Sequence, residues 1–261
     1  GLTPHPFNAG LPPFSPGTSA FRLRTATRQI LAGQQLMNTE ELLYNIVGLH
    51  KAFSLGGGTI NVLNDLNLQL PRNKWIAVTG PSGCGKTTLL HILGGLDKPT
   101  KGQVILDGVN LEKLSASQMT KLRYEKIGFV FQSYHLFPEL SALENAALPA
   151  LQWKTNRKQA YQNAKNWLTQ FGLENRIHHR PYELSGGEQQ RVAIARSLIN
   201  NPNIILADEP TGNLDAKSAQ EIINILRDVR NNQKKTLIMV THDPNIAAQA
   251  DLHIKLDNSM A

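Results

Sequence analysis

Residues Gly80, Pro81, Ser82, Gly83, Cys84, Gly85, Lys86 and Thr87 form the first stretch of this sequence whose spacing implies chemistry. The glycines let the backbone curl so that successive amides point inward, a concavity for anionic oxygens. The apolar run Trp75–Thr79 precedes it and Thr88, Leu89 and Leu90 follow, the strand–loop–helix setting that a phosphate loop requires. A helix opening at Lys86 adds the positive end of its dipole. Lys86 is expected to reach the β- and γ-phosphates of a nucleotide such as ATP, and the Thr87 hydroxyl to ligate Mg²⁺.

A second group of candidates lies at the ends of apolar runs. Ile204-Ile205-Leu206-Ala207 ends in the acids Asp208 and Glu209. In open α/β sheets ligands bind beyond the carboxyl ends of strands. Asp208 is expected to hold Mg²⁺ directly or through water, and Glu209 to polarise the attacking water as general base. Two acids at a strand end can also mark a strand entering solvent; the neighbouring phosphate loop favours the catalytic reading. Gln132 follows Gly128-Phe129-Val130-Phe131, and His242 follows Val240-Thr241. The Gln132 amide can contact Mg²⁺ or the water, and a neutral His242 imidazole can bond the γ-phosphate and orient Glu209.

These residues need a sheet to carry them. Strand candidates are Tyr44–Phe53, Ile60–Leu70, Trp75–Thr79, Gln103–Leu106, Ile127–Phe131, Ile204–Ala207, Leu237–Val240 and Leu252–Leu256. The unbroken apolar runs at 204–207 and 237–240 read as strands covered on both faces, the habit of parallel sheets. Between them fall helical patterns: Lys86–Leu93, a start capped by Ser141 and Glu144, Asn156–Phe171, Gly187–Ile199 and Ala216–Val229. This alternation predicts an α/β fold with a mostly parallel core sheet, an antiparallel β subdomain, and a helical subdomain inserted at about 133–199.

Composition bounds the rest. Hydrophobic residues at 41% and charged residues at 18% are an ordinary globular balance, and no apolar stretch is long enough to span a bilayer. The single cysteine, Cys84, excludes an internal disulfide and suits a reducing cytosol. Arg22, Arg24 and Arg28 carry three of the seven net positive charges and no acid accompanies them in residues 1–36, so the remainder is too weakly basic to suggest nucleic acid. Residues 1–36 contain Pro4, Pro6, Pro12, Pro13 and Pro16 and read as a disordered leader. Their Arg-rich, acid-free character also resembles a transit peptide; the plainer reading starts the protein at Met37 with an extension upstream.

Leu184-Ser185-Gly186-Gly187-Glu188-Gln189 supplies a second helix start suited to an anion, distinct from the first. One nucleotide cannot occupy both within one chain. With the preceding elements, this run resembles the signature of ABC ATP-binding subunits, over nearly all of residues 43–258. The resemblance implies a P-loop NTPase fold in which Gly80–Thr88 bind ATP and Phe53 stacks on adenine, keeping the ring face but lacking the hydroxyl of a Tyr. It implies that Ser185, Gly186, Gly187, Glu188 and Gln189 act in trans on ATP held by a second copy. Asp215, in Asn213-Leu214-Asp215, would lie at the interface of that homodimer.

Leu93-Gly94-Gly95-Leu96-Asp97, His179-Arg180-Pro181 and Pro210-Thr211-Gly212 are similar to the LolD/MacB/FtsE group, lipoprotein-releasing ATPases above all. That resemblance implies a cytoplasmic ATPase peripheral on the inner membrane, coupled to permeases of the LolC/LolE kind. Ser133–Leu140 would be the docking segment, with Tyr134, Leu136 and Phe137 as apolar anchors or, alternatively, as core residues of the subdomain. Efflux of the MacB type and cell-division control of the FtsE type remain alternatives. A nucleic-acid-associated ABC ATPase is the alternative of a different class, disfavoured because the subdomain fills the interval between Lys86 and Asp208, leaving no long coiled coil.

Overall fold

A computed structural model describes residues 41–55, 58–152 and 156–257; the expected leader at 1–36 lies outside the described residues. Two sheets organise the described chain. The first is antiparallel, built from β1 (Leu42–Leu55), β2 (Gly58–Pro71), β4 (Lys101–Leu106) and β5 (Val109–Asn110), in the order β2-β1-β4-β5. The second is parallel, with β6 (Ile127–Val130), β7 (Ile204–Asp208), β8 (Thr236–Val240), β3 (Trp75–Thr79) and β9 (Leu252–Lys255) in that spatial order.

The two unbroken apolar runs are covered on both faces, as expected. Ile205 and Ala207 of β7, with Leu237 and Met239 of β8, join a core with the helical elements. Ile204, Leu206, Ile238 and Val240 point the other way, into a core shared with α1 (Lys86–Leu93) and the antiparallel sheet. Parallel pairing aligns Val78 with Val240, Asp208 with Val240, and Val130 with Ala207. The four strand ends expected to carry chemistry therefore finish along one edge of the sheet, where ligands bind in such folds.

The expected subdomain consists of α3 (Ala142–Leu151), α4 (Arg157–Gln170) and α5 (Gly186–Leu198). Ala142, Ala146, Ala147, Ala150, Ala160 and Ala164 line its core, small side chains that let the helices approach closely. Helix α6 (Ala216–Gln233) buries Ile222, Ile223, Leu226 and Val229. The short α7 (Pro244–Ala247) follows β8. Helix α2 (Ala116–Lys126) escaped the sequence reading because it buries no residue and so has no apolar stripe; its Ser115–Gln118 capping box was the available signal.

Asn145 holds the segment entering α3. It is fully buried; its amide nitrogen donates to the carbonyls of Phe137 (3.0 Å), Leu140 (3.0 Å) and Ser141 (3.1 Å), while its oxygen accepts from Phe137 N (2.8 Å). Removing one side chain would strand several backbone groups, a cost of about 2–3 kcal/mol. Asn145→Ala should therefore lower the thermal unfolding midpoint by roughly 5–10 °C. An unchanged calorimetric midpoint would show that water replaces the amide at no cost.

Candidate functional site

The loop after β3 is closed by backbone that only glycine tolerates. Gly80, Gly83 and Gly85 have φ of 153°, 80° and 91°. A Cβ on Gly80 would lie 2.3 Å from the Leu256 carbonyl oxygen, and one on Gly85 would lie 2.8 Å from that of Val62. Cys84 is buried in the core beneath, while Pro81 and Ser82 are exposed. Gly85→Ala should weaken ATP binding by about 5- to 100-fold, since enforced strain of this kind costs on the order of 1–3 kcal/mol. Titration with a fluorescent ATP analogue reads this directly; wild-type affinity would mean the loop relaxes elsewhere.

Lys86 is buried, and its Nζ donates to the carbonyls of Gly80 (3.0 Å) and Pro81 (2.8 Å). Its ammonium thus lies within the concavity that the loop amides form. Thr87 Oγ1 donates to Asp208 Oδ1 at 3.1 Å, which joins the first turn of α1 to the end of β7. Burial raises the Asp208 carboxyl above its ordinary range and the adjacent Glu209 adds to this, against the Thr87 hydrogen bond and the influence of His91 and Lys86. Thr88 is the third residue of α1 and half-buried.

Glu209 follows at φ 42°, the left-handed region, with its N–H bonded to the Val240 carbonyl at 3.0 Å. A non-glycine residue held there is strained, and the strain aims its carboxylate. Glu209 Oε2 lies 3.1 Å from His242 Nδ1, so the strand ends of β7 and β8 bring together the acid expected to act as base and the histidine expected to orient it. Gln132 is engaged elsewhere: its Nε2 donates to Asn213 Oδ1 (3.3 Å), and its carbonyl accepts from Asn213 Nδ2 (3.1 Å). Asn213 therefore connects the end of β6 to the loop after β7.

The second helix start is equally defined. Ser185 caps α5: its hydroxyl accepts from Glu188 N (3.3 Å), and Glu188 Oε2 accepts from Ser185 N (2.8 Å). Burial pushes the Glu188 carboxyl up, but the Ser185 hydrogen bonds and the Arg176 and Arg191 cations together hold it below its ordinary range. Glu188 and Gln189, expected to act toward a second copy, are engaged within the chain; Gln189 Nε2 donates to the Leu184 carbonyl at 3.0 Å. A Cβ on Gly186 would meet the Tyr134 hydroxyl at 2.9 Å, and one on Gly187 the Ser218 hydroxyl at 3.0 Å. Asp215 caps α6 by accepting from Lys217 N and Ser218 N, both at 3.0 Å, and is exposed.

Three groups that position this machinery were not singled out from sequence. Gln190 is fully buried and donates to Pro210 O (2.7 Å) and Phe131 O (3.4 Å), tying α5 to both strand-end loops. Arg196 donates to Tyr134 O (2.6 Å) and His135 O (2.5 Å), which fixes two consecutive left-handed residues. Burial brings its guanidinium down to about 10. Lys51 is the third. No periodicity marks such long-range contacts.

Leu136 packs on the helical core, whereas Phe137 is 51% exposed. Phe53 is 38% exposed, so its ring is accessible.

The ABC transporter family matches residues 63–212. The lipoprotein-releasing system ATP-binding protein LolD of Shewanella sp. (strain MR-4) is 45% identical over 84% of this chain and 95% of its own. LolD of Legionella pneumophila (strain Lens) is 45% identical over 78% of this chain and 89% of its own. The macrolide export ATP-binding/permease protein MacB of Bdellovibrio bacteriovorus is 46% identical over 82% of this chain, which spans only 32% of MacB. Among solved structures, a dimeric ATP-binding cassette in a post-hydrolysis state with ADP and Pi superposes with a TM-score of 0.77. It is 40% identical, covering 82% of this chain and 94% of its own.

Proposed function

We propose that this chain, which belongs to the ABC transporter family and is an ATP-hydrolysing subunit of that kind, works as one half of a two-copy motor for lipoprotein release. One observation carries the composite site. The phosphate loop borders Val62, Leu63 and Leu256, whereas Gly186 and Gly187 border Tyr134, Leu214 and Ser218, so two anion-ready helix starts have wholly separate surroundings. A triphosphate held by Gly80–Thr88 in one copy leaves the Ser185–Gly187 start free to cap a γ-phosphate in the other. The solved relative with ADP and Pi is itself dimeric, which supports the same arrangement. Asp215, exposed at the start of α6, would face the junction.

Within each site the chain's residues have separable tasks. The loop amides and the Lys86 ammonium neutralise phosphate oxygens. Glu209 orients and deprotonates the attacking water, and His242, bonded to it, holds the carboxylate in register. The oxygens of Thr87 and Asp208, adjacent at the phosphate loop, are hard donors that fit Mg²⁺, which takes few protein ligands beside phosphate and water. The raised Asp208 carboxyl would ionise fully beside such a cation. Held by Thr87 and Asp208, Mg²⁺ would supply neutralisation of phosphate charge. Gln132, whose amide donates to Asn213, would contact Mg²⁺ or the attacking water when nucleotide is bound.

Among the described residues no helix is long and apolar enough to cross a membrane, and the proposed stroke acts on a membrane partner. The exposed Phe137, held in the loop that Asn145 and Arg196 fix, is the proposed contact with permeases of the LolC/LolE kind at the inner cytoplasmic face. Similarity to LolD over most of both chains supports lipoprotein as the cargo; the MacB match keeps efflux as a second reading. The test is reconstitution with each permease pair in vesicles. Lipoprotein release to an acceptor that requires this subunit and ATP is expected with the LolC/LolE kind. Productive coupling with an efflux permease alone would move the assignment to that reading.

A further inference from the structure

The run Leu93-Gly94-Gly95-Leu96-Asp97 has no role in the site as described so far. Its glycines allow the chain leaving α1 to turn tightly: a Cβ on Gly94 would fall 1.8 Å from the Phe129 ring and one on Gly95 2.3 Å from Met119 Sδ. Leu96 N and Asp97 N both donate to the His91 carbonyl, at 2.9 and 3.3 Å. The turn delivers Asp97 to β1, where its Oδ1 accepts from Lys51 Nζ at 2.7 Å. The Lys98 carbonyl accepts from the same ammonium at 2.9 Å. Two further bonds fasten this segment to β1, from Thr100 N to His50 O (2.8 Å) and from Ala52 N to Thr100 Oγ1 (3.0 Å).

Lys51 is 9% exposed, an unusual degree of burial for a lysine within a strand. Its ammonium lies 4.7 Å from the centroid of the Phe53 ring, within cation–π range. Ile60, directly opposite Phe53 on β2, is 53% exposed and extends the apolar surface around that ring. On an exposed strand the Phe53 ring would otherwise turn about χ1, and the Lys51 ammonium restricts it.

We propose that Lys51 is a positioning residue for base recognition: pinned by Asp97 and the Lys98 carbonyl, its ammonium holds the Phe53 ring so that an adenine can stack on it. The inference rests on the reading of Phe53 as the base-stacking ring. It also gives the Gly94–Asp97 turn a task. Helix α1 starts at the phosphate loop and ends at this turn, so one rigid element of roughly 12 Å sets both the phosphate and the base subsites. The cation also withdraws electron density from the ring, which favours stacking by an electron-rich purine.

The test compares Mg-ATP with inorganic tripolyphosphate, which fills the phosphate loop but has no base, by calorimetric titration of the full chain. Lys51→Met should weaken ATP about five- to tenfold, with tripolyphosphate within about twofold of wild type. Lys51→Arg should recover most of the loss, since a guanidinium stacks on the same ring. Phe53→Ala should show the same base-dependent loss, and Lys51→Met/Phe53→Ala should be little worse than Phe53→Ala alone, because the two act as a unit. Equal weakening of both ligands by Lys51→Met, no weakening at all, or full additivity in the double variant would overturn the role of Lys51. Unchanged ATP affinity in Phe53→Ala would instead overturn the stacking ring itself.

Discussion

Glu209→Gln should bind ATP with near wild-type affinity yet hydrolyse it about 10²- to 10⁴-fold more slowly, the range lost when a positioned general base is removed. The amide keeps the shape of the side chain and its backbone bond to Val240 but has no proton affinity for the attacking water. With hydrolysis blocked, ATP-bound copies should accumulate as a dimer visible by light scattering, because the step that separates them no longer occurs. A variant that remains monomeric with ATP and still turns over would remove Glu209 from the role of base. His242→Ala should fall in the same direction, since Nδ1 at 3.1 Å is the side-chain partner of the Glu209 carboxylate among the described residues.

The second large effect concerns a residue that takes no part in its own chain's phosphate loop. Ser185→Arg should abolish measurable hydrolysis, a loss of at least about 10²-fold for a site deprived of γ-phosphate donors, while each monomer binds ATP as before. Ser185 is exposed at the start of α5, so a long side chain there would project toward whatever faces that helix. The substitution also deletes a helix cap worth about 1 kcal/mol, and Ser185→Ala isolates that contribution. The alanine variant should fold with a slightly lower midpoint and, keeping the Gly186 and Gly187 amides, lose only the hydroxyl's share of activity, far less than Ser185→Arg. Loss of ATP binding by the Ser185→Arg monomer would mean the serine serves its own chain, contrary to the composite site.

How much of this was legible in the sequence depends on the range of the contacts involved. The phosphate loop, the Ser141 cap and the start of α5 are local: their residue types fix backbone geometry within a few positions, and each appears where expected. The runs at 204–207 and 237–240 announced two covered faces because no polar residue interrupts them. Helix α2 was invisible because it buries no residue fully: Met119 and Leu122 pack only partly on the core, so no apolar stripe marks it. Gln190, Arg196 and Asn145 were missed since a buried polar side chain is recognised only when its distant acceptors are known. Tyr134 and His135 likewise carry no glycine-like signal of their left-handed backbone; Arg196, 62 positions from Tyr134, supplies the bonds that hold it. Gln132 was legible as a polar residue just past a strand, but its hydrogen bond to Asn213 was not, since the two lie 81 positions apart.

Proximity between two surfaces of different copies is the quantity that decides the motor. In a Cys84→Ala, Glu209→Gln background, one population would carry Ser82→Cys in the exposed phosphate loop and the other Ser185→Cys at the exposed start of α5. Mixed with Mg-ATP and a short bifunctional thiol reagent, they should give a two-chain product joining position 82 to position 185, absent with ADP. A two-fold dimer brings these elements together twice, but a mixed dimer carries the cysteine pair at one junction, so the product should form in up to about half of the dimers. ATP-bound dimers that join 82 only to 82, or 185 only to 185, would contradict the shared site.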